Sequence, residues 1–255
     1  MTKCNVCECP DSTLLVEKDG YKVYQCIKCR LAFTYPQPAS LDEQYNESYF
    51  GLYRKRRDFR LKRASARLSV IELMMPPGRL LDIGCSLGYF VEAGISRGWE
   101  SKGVELSPYA SQAARDTGLD VFTGSLENAN YPDGSFDCIA MWDVLEHVPD
   151  PTAHLHEIHR ILANGGLLVM GTPNLNHALF RLKREQWRHL KPTEHIYYFQ
   201  ESNLNQLLEK TKFKPVKPPI FGGRTFADNT QAVIGEAIRR LVNPKDVMTI
   251  YGVKA

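Results

Sequence analysis

From residue 79 onward, short apolar runs alternate with stretches of helical period. The apolar runs cover residues 80–83, 101–104, 121–123, 136–142 and 167–171. Between them, residues 89–97, 108–117 and 151–162 place apolar side chains at helix spacing, with Ser107 as a cap before Pro108. This alternation predicts right-handed crossovers and a parallel sheet covered on both faces. A helix over 202–210, a strand over 213–216 and a closing run over 247–253 predict a hairpin-like pair at one edge. The expected fold class is α/β.

Residues 1–38 follow a different pattern. Two apolar runs, 14–16 and 21–24, flank Asp19-Gly20, a dipeptide suited to a tight hairpin. Five of the seven cysteines fall here: Cys4, Cys7, Cys9, Cys26 and Cys29. Cys4-x2-Cys7 and Cys26-x2-Cys29 have the spacing of two knuckles, each setting two thiolates on one side of a turn. A hairpin joins the knuckles as a Cys₄ zinc ribbon, with Cys9 a bystander or an alternate ligand. The zinc is expected to be structural. So short a segment needs a staple, and four thiolates leave no coordination position for chemistry. Pro36-Gln37-Pro38 closes the module.

Residues 39–76 read as a linker followed by a basic helical segment. The linker carries Tyr45-x3-Tyr49-Phe50-Gly51, and residues 54–67 hold eight Lys/Arg against one Asp. That run reads as a phosphate-binding face or as the solvated side of an amphipathic helix. Its apolar face would be Phe59, Leu61, Leu68, Ile71 and Leu73, and the helical period favours the solvated reading. A net charge of +3 over 255 residues implies no global polyanion partner. No apolar run reaches membrane-spanning length, and the N-terminus lacks the apolar core of a signal peptide. A cytoplasmic protein without a membrane partner is expected, where paired cysteines suggest metal.

The chemistry concentrates at residues 79–90, Arg-Leu-Leu-Asp-Ile-Gly-Cys-Ser-Leu-Gly-Tyr-Phe. A strand, a glycine turn and a helix start make a nucleotide pocket, because glycine lets the backbone approach and the helix end offers N–H groups. The dinucleotide pattern would need glycine at 84, 86 and 89, and only Gly84 complies. No Gly-Lys-Ser/Thr follows, so it is not a P-loop. Leu81, Asp82, Gly84 and Gly88 resemble motif I of the class I S-adenosylmethionine (SAM)-dependent methyltransferases, with Ser86 in place of the middle glycine. Ser86 is tolerable at negative φ and costs on the order of 1 kcal/mol at positive φ.

The resemblance continues. Glu105 ends the second strand, where an acid accepts both ribose hydroxyls. Residues 136–151 closely resemble the family's Phe-Asp…Val-Leu-Glu-His-Val…Asp-Pro element, and Asn164-Gly165-Gly166 its following turn. The resemblance implies a seven-stranded Rossmann-like sheet over residues 77–255, with acceptor-pocket inserts near 173–200 and 220–243. It implies a SAM site at Asp82, Gly84, Ser86, Gly88, Glu105, Leu106, Ser125, Leu126 and Met141. In similar enzymes with zinc ribbons, the tyrosine-rich segment covers the cofactor; linker packing is the plain alternative.

On the acceptor side, Glu194-His195-x2-Tyr198-Phe199 is similar to the Glu-His-x-x-Tyr-Phe element of small-molecule and sugar methyltransferases. Pro192-Thr193 stand where those enzymes often carry a tyrosine. The resemblance makes His195 a base and Glu194 its orienting acid, with His147 after Glu146 as the rival base. The alternative for His195 is packing. His154, His156 and His159 read as surface residues. The expected function is methyl transfer to a hydroxyl or carbon of a small metabolite, a sugar or nucleotide-sugar foremost. An RNA-modifying enzyme and a non-enzymatic SAM/zinc module remain open. Direct displacement at the sulfonium needs alignment and exclusion of water.

Overall fold

The computed structural model describes residues 3–38, 47–219 and 246–255. The expected elements at 220–243, and Tyr45, lie outside the described residues.

The N-terminal strands are β1 (Ser12–Lys18), β2 (Tyr21–Cys26) and β3 (Ala32–Tyr35). Asp19 and Gly20 join β1 to β2 with φ of 52° and 79°, the left-handed pair that a two-residue hairpin requires. Two helices follow, α1 (Glu47–Lys55) and α2 (Arg57–Ile71). The α/β part runs β4 (Arg79–Ile83), α3 (Tyr89–Ser96), β5 (Glu100–Glu105), α4 (Pro108–Arg115), β6 (Val121–Thr123), β7 (Phe136–Trp142), α5 (Pro151–Ile161) and β8 (Leu162–Pro173). After α6 (Ala178–Lys183) come β9 (Tyr197–Tyr198), α7 (Glu201–Lys210), β10 (Phe213–Val216) and β11 (Val247–Lys254).

The main sheet has seven strands in the order β10-β11-β8-β7-β4-β5-β6. Strands β4 to β8 pair in parallel and β11 pairs antiparallel with β8 and β10. β4 runs Leu80, Leu81, Asp82 and Ile83 buried, as a central strand covered on both faces must. The order reverses at β4: β5 and β6 lie to one side, β7 and β8 to the other. A crevice therefore opens beyond the carboxyl ends of β4 and β7. The turn expected at 164–166 survives only as a bulge in β8. Phe136 pairs with Leu162 but Cys138 with Leu167, so 163–166 loop out, with Gly165 at φ 74°.

The cysteine-bearing sheet is not insulated from this domain. Its order is β1-β2-β3-β9, so the insert at 173–200 supplies the strand that covers β3. Cys4, Val6, Cys26, Cys29 and Leu31 share one apolar core with Leu81, Ile139 and Phe199.

The basic run departs from expectation. Phe59 and Leu73, expected on the apolar face, are 55% and 54% exposed. Arg67 is instead buried, its guanidinium 3.6 Å from the Trp142 ring centroid. Stacking on an aromatic face lets the flat guanidinium enter where an ammonium would not. No helix among the described residues is long and apolar enough to cross a membrane.

Candidate functional site

β4 carries Asp82 to the crevice, and the chain then bends through Gly84 (φ 69°) and Gly88 (φ 79°) into α3. A Cβ on Gly84 would meet Val144 at 2.5 Å, and one on Gly88 would meet Leu119 at 2.4 Å. Both positions need glycine for conformation and for space. Ser86 sits at φ 55°, the costly case for a residue with a Cβ. Its backbone N–H explains the bend: it donates to Glu105 Oε2 at 2.8 Å, while Ser107 N–H donates to Oε1 at 2.9 Å. Glu105 is thereby fixed with both oxygens at the strand tip. Burial pushes its pKa up, and the two amides pull the other way.

Asp82 is 3% exposed, and its Oδ1 has no hydrogen-bond partner among the described residues. Burial drives its pKa well above the carboxylate range, with Arg67 opposing. An orphaned buried acceptor next to a glycine turn fits a ligand that brings a donor, such as an ammonium. Leu106, beside Glu105, is 54% exposed and offers an apolar surface to a flat base. Ser125 Oγ accepts from the Asn128 N–H at 3.3 Å. The Leu126 and Met141 side chains are buried in the core, so their contribution to a ligand would come from the main chain. The aromatic segment covers this turn: Phe50 is buried against Leu87 and Ala110, with Tyr49, Tyr53 and Tyr109 around it.

On the other side of the crevice, the structure brings His195 and His147 together, with ring centroids 4.8 Å apart and edge to face. The third member is Glu146, not Glu194. The Glu194 carboxylate turns away to Lys191 at 3.0 Å, and what reaches the pair is its backbone carbonyl, which accepts from His147 Nδ1 at 2.9 Å. A carbonyl cannot donate, so Nδ1 carries the hydrogen and Nε2 the lone pair. Burial lowers the pKa of His147 and, more strongly, of His195. Glu146 is 1% exposed, and Thr172 Oγ1 donates to its Oε2 at 2.9 Å. Burial, then Asp143, pushes its pKa up to about 8. One ligand atom from each of Glu146, His147 and His195 lies within 4.8 Å of the others, a set able to hold a metal ion. His154, expected at the surface, is buried and bonds Glu127 at 3.0 Å. Sequence reasoning missed Arg67 and Trp142, because a basic run with a helical period gives no sign of which face turns inward.

The four knuckle sulfurs converge as expected. Cys4 and Cys29 lie 3.4 Å apart and Cys7 and Cys26 3.5 Å, too far for disulfides. All four ligand atoms lie within 4.8 Å of one another, while Cys9 stands outside and donates to the Asp11 carbonyl.

The profile of a family described as "Methyltransferase domain" matches residues 53–217. A ubiquinone biosynthesis O-methyltransferase of Xanthomonas oryzae pv. oryzae (strain PXO99A) is 36% identical over 130 residues, 48% of this chain and 52% of that one. The chain thus spans about half the length of the curated relatives it matches. In fold it resembles a SAM-dependent methyltransferase from Thermotoga maritima, at TM-score 0.58 and 21% identity over 83% of this chain and 99% of that one. A SAM-dependent methyltransferase from Archaeoglobus fulgidus has the same TM-score at 22% identity, covering 80% of this chain and 100% of that one.

Proposed function

This chain belongs to the methyltransferase-domain family, within the class I SAM-dependent enzymes, and we propose that it methylates a hydroxyl on a small-molecule acceptor. The observation that carries the donor half is Glu105, pinned by the Ser86 and Ser107 amides at the tip of β5. Each carboxylate oxygen keeps a lone pair for one ribose hydroxyl. Asp82 faces the ammonium of the amino-acid end, and Arg67 supplies positive charge beside it for the carboxylate. SAM brings the activated methyl group; the chain's residues align the acceptor and exclude water.

For a hydroxyl acceptor, His147 is the base. Its Nε2 takes the hydroxyl proton as the oxygen–methyl bond forms and the sulfur–methyl bond breaks. Its lowered pKa keeps it unprotonated near neutrality. His195 holds the ring edge-on. The relatives named as O-methyltransferases support oxygen as the target. The Glu194-His195 element supports a sugar as the acceptor class. Glu146, His147 and His195 support a second reading of the same site, a divalent cation that binds the acceptor oxygen. Cys4, Cys7, Cys26 and Cys29 support a structural zinc.

The test is transfer of labelled methyl from SAM to a panel of sugars, sugar nucleotides and catechols. His147→Ala should lower turnover by about 10²-fold or more while S-adenosylhomocysteine affinity stays within about twofold. Undiminished turnover would remove His147 as the base. Titrating divalent metal into chelated protein separates the second reading, which alone requires the ion for turnover.

A further inference from the structure

Three arginines of α2 share one face. Arg60, Arg63 and Arg67 recur at spacings of three and four residues. The Arg60 guanidinium lies 3.5 Å from the Tyr53 ring centroid, and Arg67 lies on Trp142. Arg63 stands one turn from each. Burial lowers its pKa most, Asp143 opposes, and Arg60 and Arg188 add to the lowering. Placing like charges together away from water is costly unless something pairs them.

The pairing is incomplete. Arg60 Nε, Arg63 Nε and Nη2, and Arg67 Nε are shielded from water and have no hydrogen-bond partner among the described residues. Elsewhere the chain completes such groups: Arg79 forks onto Asp137, Arg97 onto Glu72 and Arg160 onto Glu157. The acids around α2 are engaged elsewhere: Glu72 by Arg97 and Glu92 by Arg57. Asp246 is engaged by Arg188 and Trp187, and Asp82 is pushed toward its neutral form by burial. Asp143 is exposed and makes no hydrogen bond to these buried nitrogens, and the one carboxylate of SAM is assigned to Arg67. The donor therefore leaves Arg60 and Arg63 without an anionic partner among the described residues.

We infer that Arg60 and Arg63 form an oxyanion subsite that takes the phosphate of a phosphorylated or nucleotide-linked acceptor. Planar guanidinium forks match phosphate oxygens, and a doubly charged group offsets more than one arginine. This inference rests on reading the crevice as a methyl-transfer site, and it specifies the acceptor by its charge.

The experiment uses the full zinc-loaded chain saturated with S-adenosylhomocysteine. Inorganic pyrophosphate, UDP, glucose 1-phosphate and uncharged methyl glucoside are titrated calorimetrically. Phosphate probes should bind and methyl glucoside should not. Arg60→Gln and Arg63→Gln should each weaken phosphate binding by about tenfold, and Lys62→Gln, on the exposed face of the same helix, by less than about twofold. Arg60→Lys should retain part of the affinity, which guards against a folding defect in the glutamine variant. Tightest binding by UDP would identify a nucleotide-linked acceptor, and tightest binding by glucose 1-phosphate a sugar phosphate. No phosphate binding to a complex that has bound S-adenosylhomocysteine overturns this inference alone, as does an equal loss in Lys62→Gln. Failure of S-adenosylhomocysteine to bind overturns the underlying reading with it.

Discussion

The Thr34 hydroxyl donates to the His195 carbonyl at 2.7 Å, and both residues are buried. Beside it, Thr34 N–H donates to the Ile196 carbonyl at 2.9 Å and Ile196 N–H to the Glu146 carbonyl at 2.8 Å. The cysteine-bearing sheet thereby sets the height of the segment that carries His195 against His147. Thr34→Val keeps the shape and leaves a buried carbonyl short of a donor, a loss of about 1–2 kcal/mol. Turnover should fall several-fold with S-adenosylhomocysteine affinity unchanged, and Thr34→Ser should restore most of it. Kinetics of the two variants beside donor calorimetry check this.

Metal analysis should find one zinc per chain. Cys26→Ser should lose it and lower the melting temperature by roughly 5–10 °C, from a loss on the order of 2–3 kcal/mol. Because β9 pairs with β3, hydrogen exchange at Tyr197 and Tyr198 should rise in the same variant. Unchanged exchange there would separate the two sheets energetically.

Ser86→Gly should stabilise the protein by up to about 1 kcal/mol, since φ 55° suits glycine better than serine. Its N–H to Glu105 is a backbone bond and should persist. Denaturant unfolding measures the gain.

Glu146 makes stability depend on pH. Its folded pKa, about 8, lies above the ordinary 4.5, so the native state holds the proton more tightly. That contribution is complete below about pH 4.5 and is lost as pH rises through 8. Glu146→Gln removes it. The variant should gain on the native chain between those values, by on the order of 5 kcal/mol at the alkaline end, in unfolding measured across pH.

The motif at 79–90 and the acid at 105 were legible because glycine geometry and strand-tip carboxylates are local demands on sequence. The Cys₄ spacing was legible for the same reason. The placement of Glu146 beside His147 and His195 was not, since Glu194-His195 reads as a pair along the chain while the fold turns the Glu194 side chain out to Lys191. Nor was the inward face of α2, which depends on where Trp142 and Tyr53 arrive in space. The pairing of β3 with β9 joins residues more than 160 positions apart, beyond the reach of any local pattern.

The central claim is that Glu105, held by Ser86 and Ser107, grips the ribose of the donor beside Asp82. Calorimetric titration with S-adenosylhomocysteine tests it most directly. One site per chain is predicted, with Glu105→Ala weakened by about tenfold or more. A native, zinc-loaded chain that gives no binding heat and no thermal stabilisation with this ligand would contradict the account.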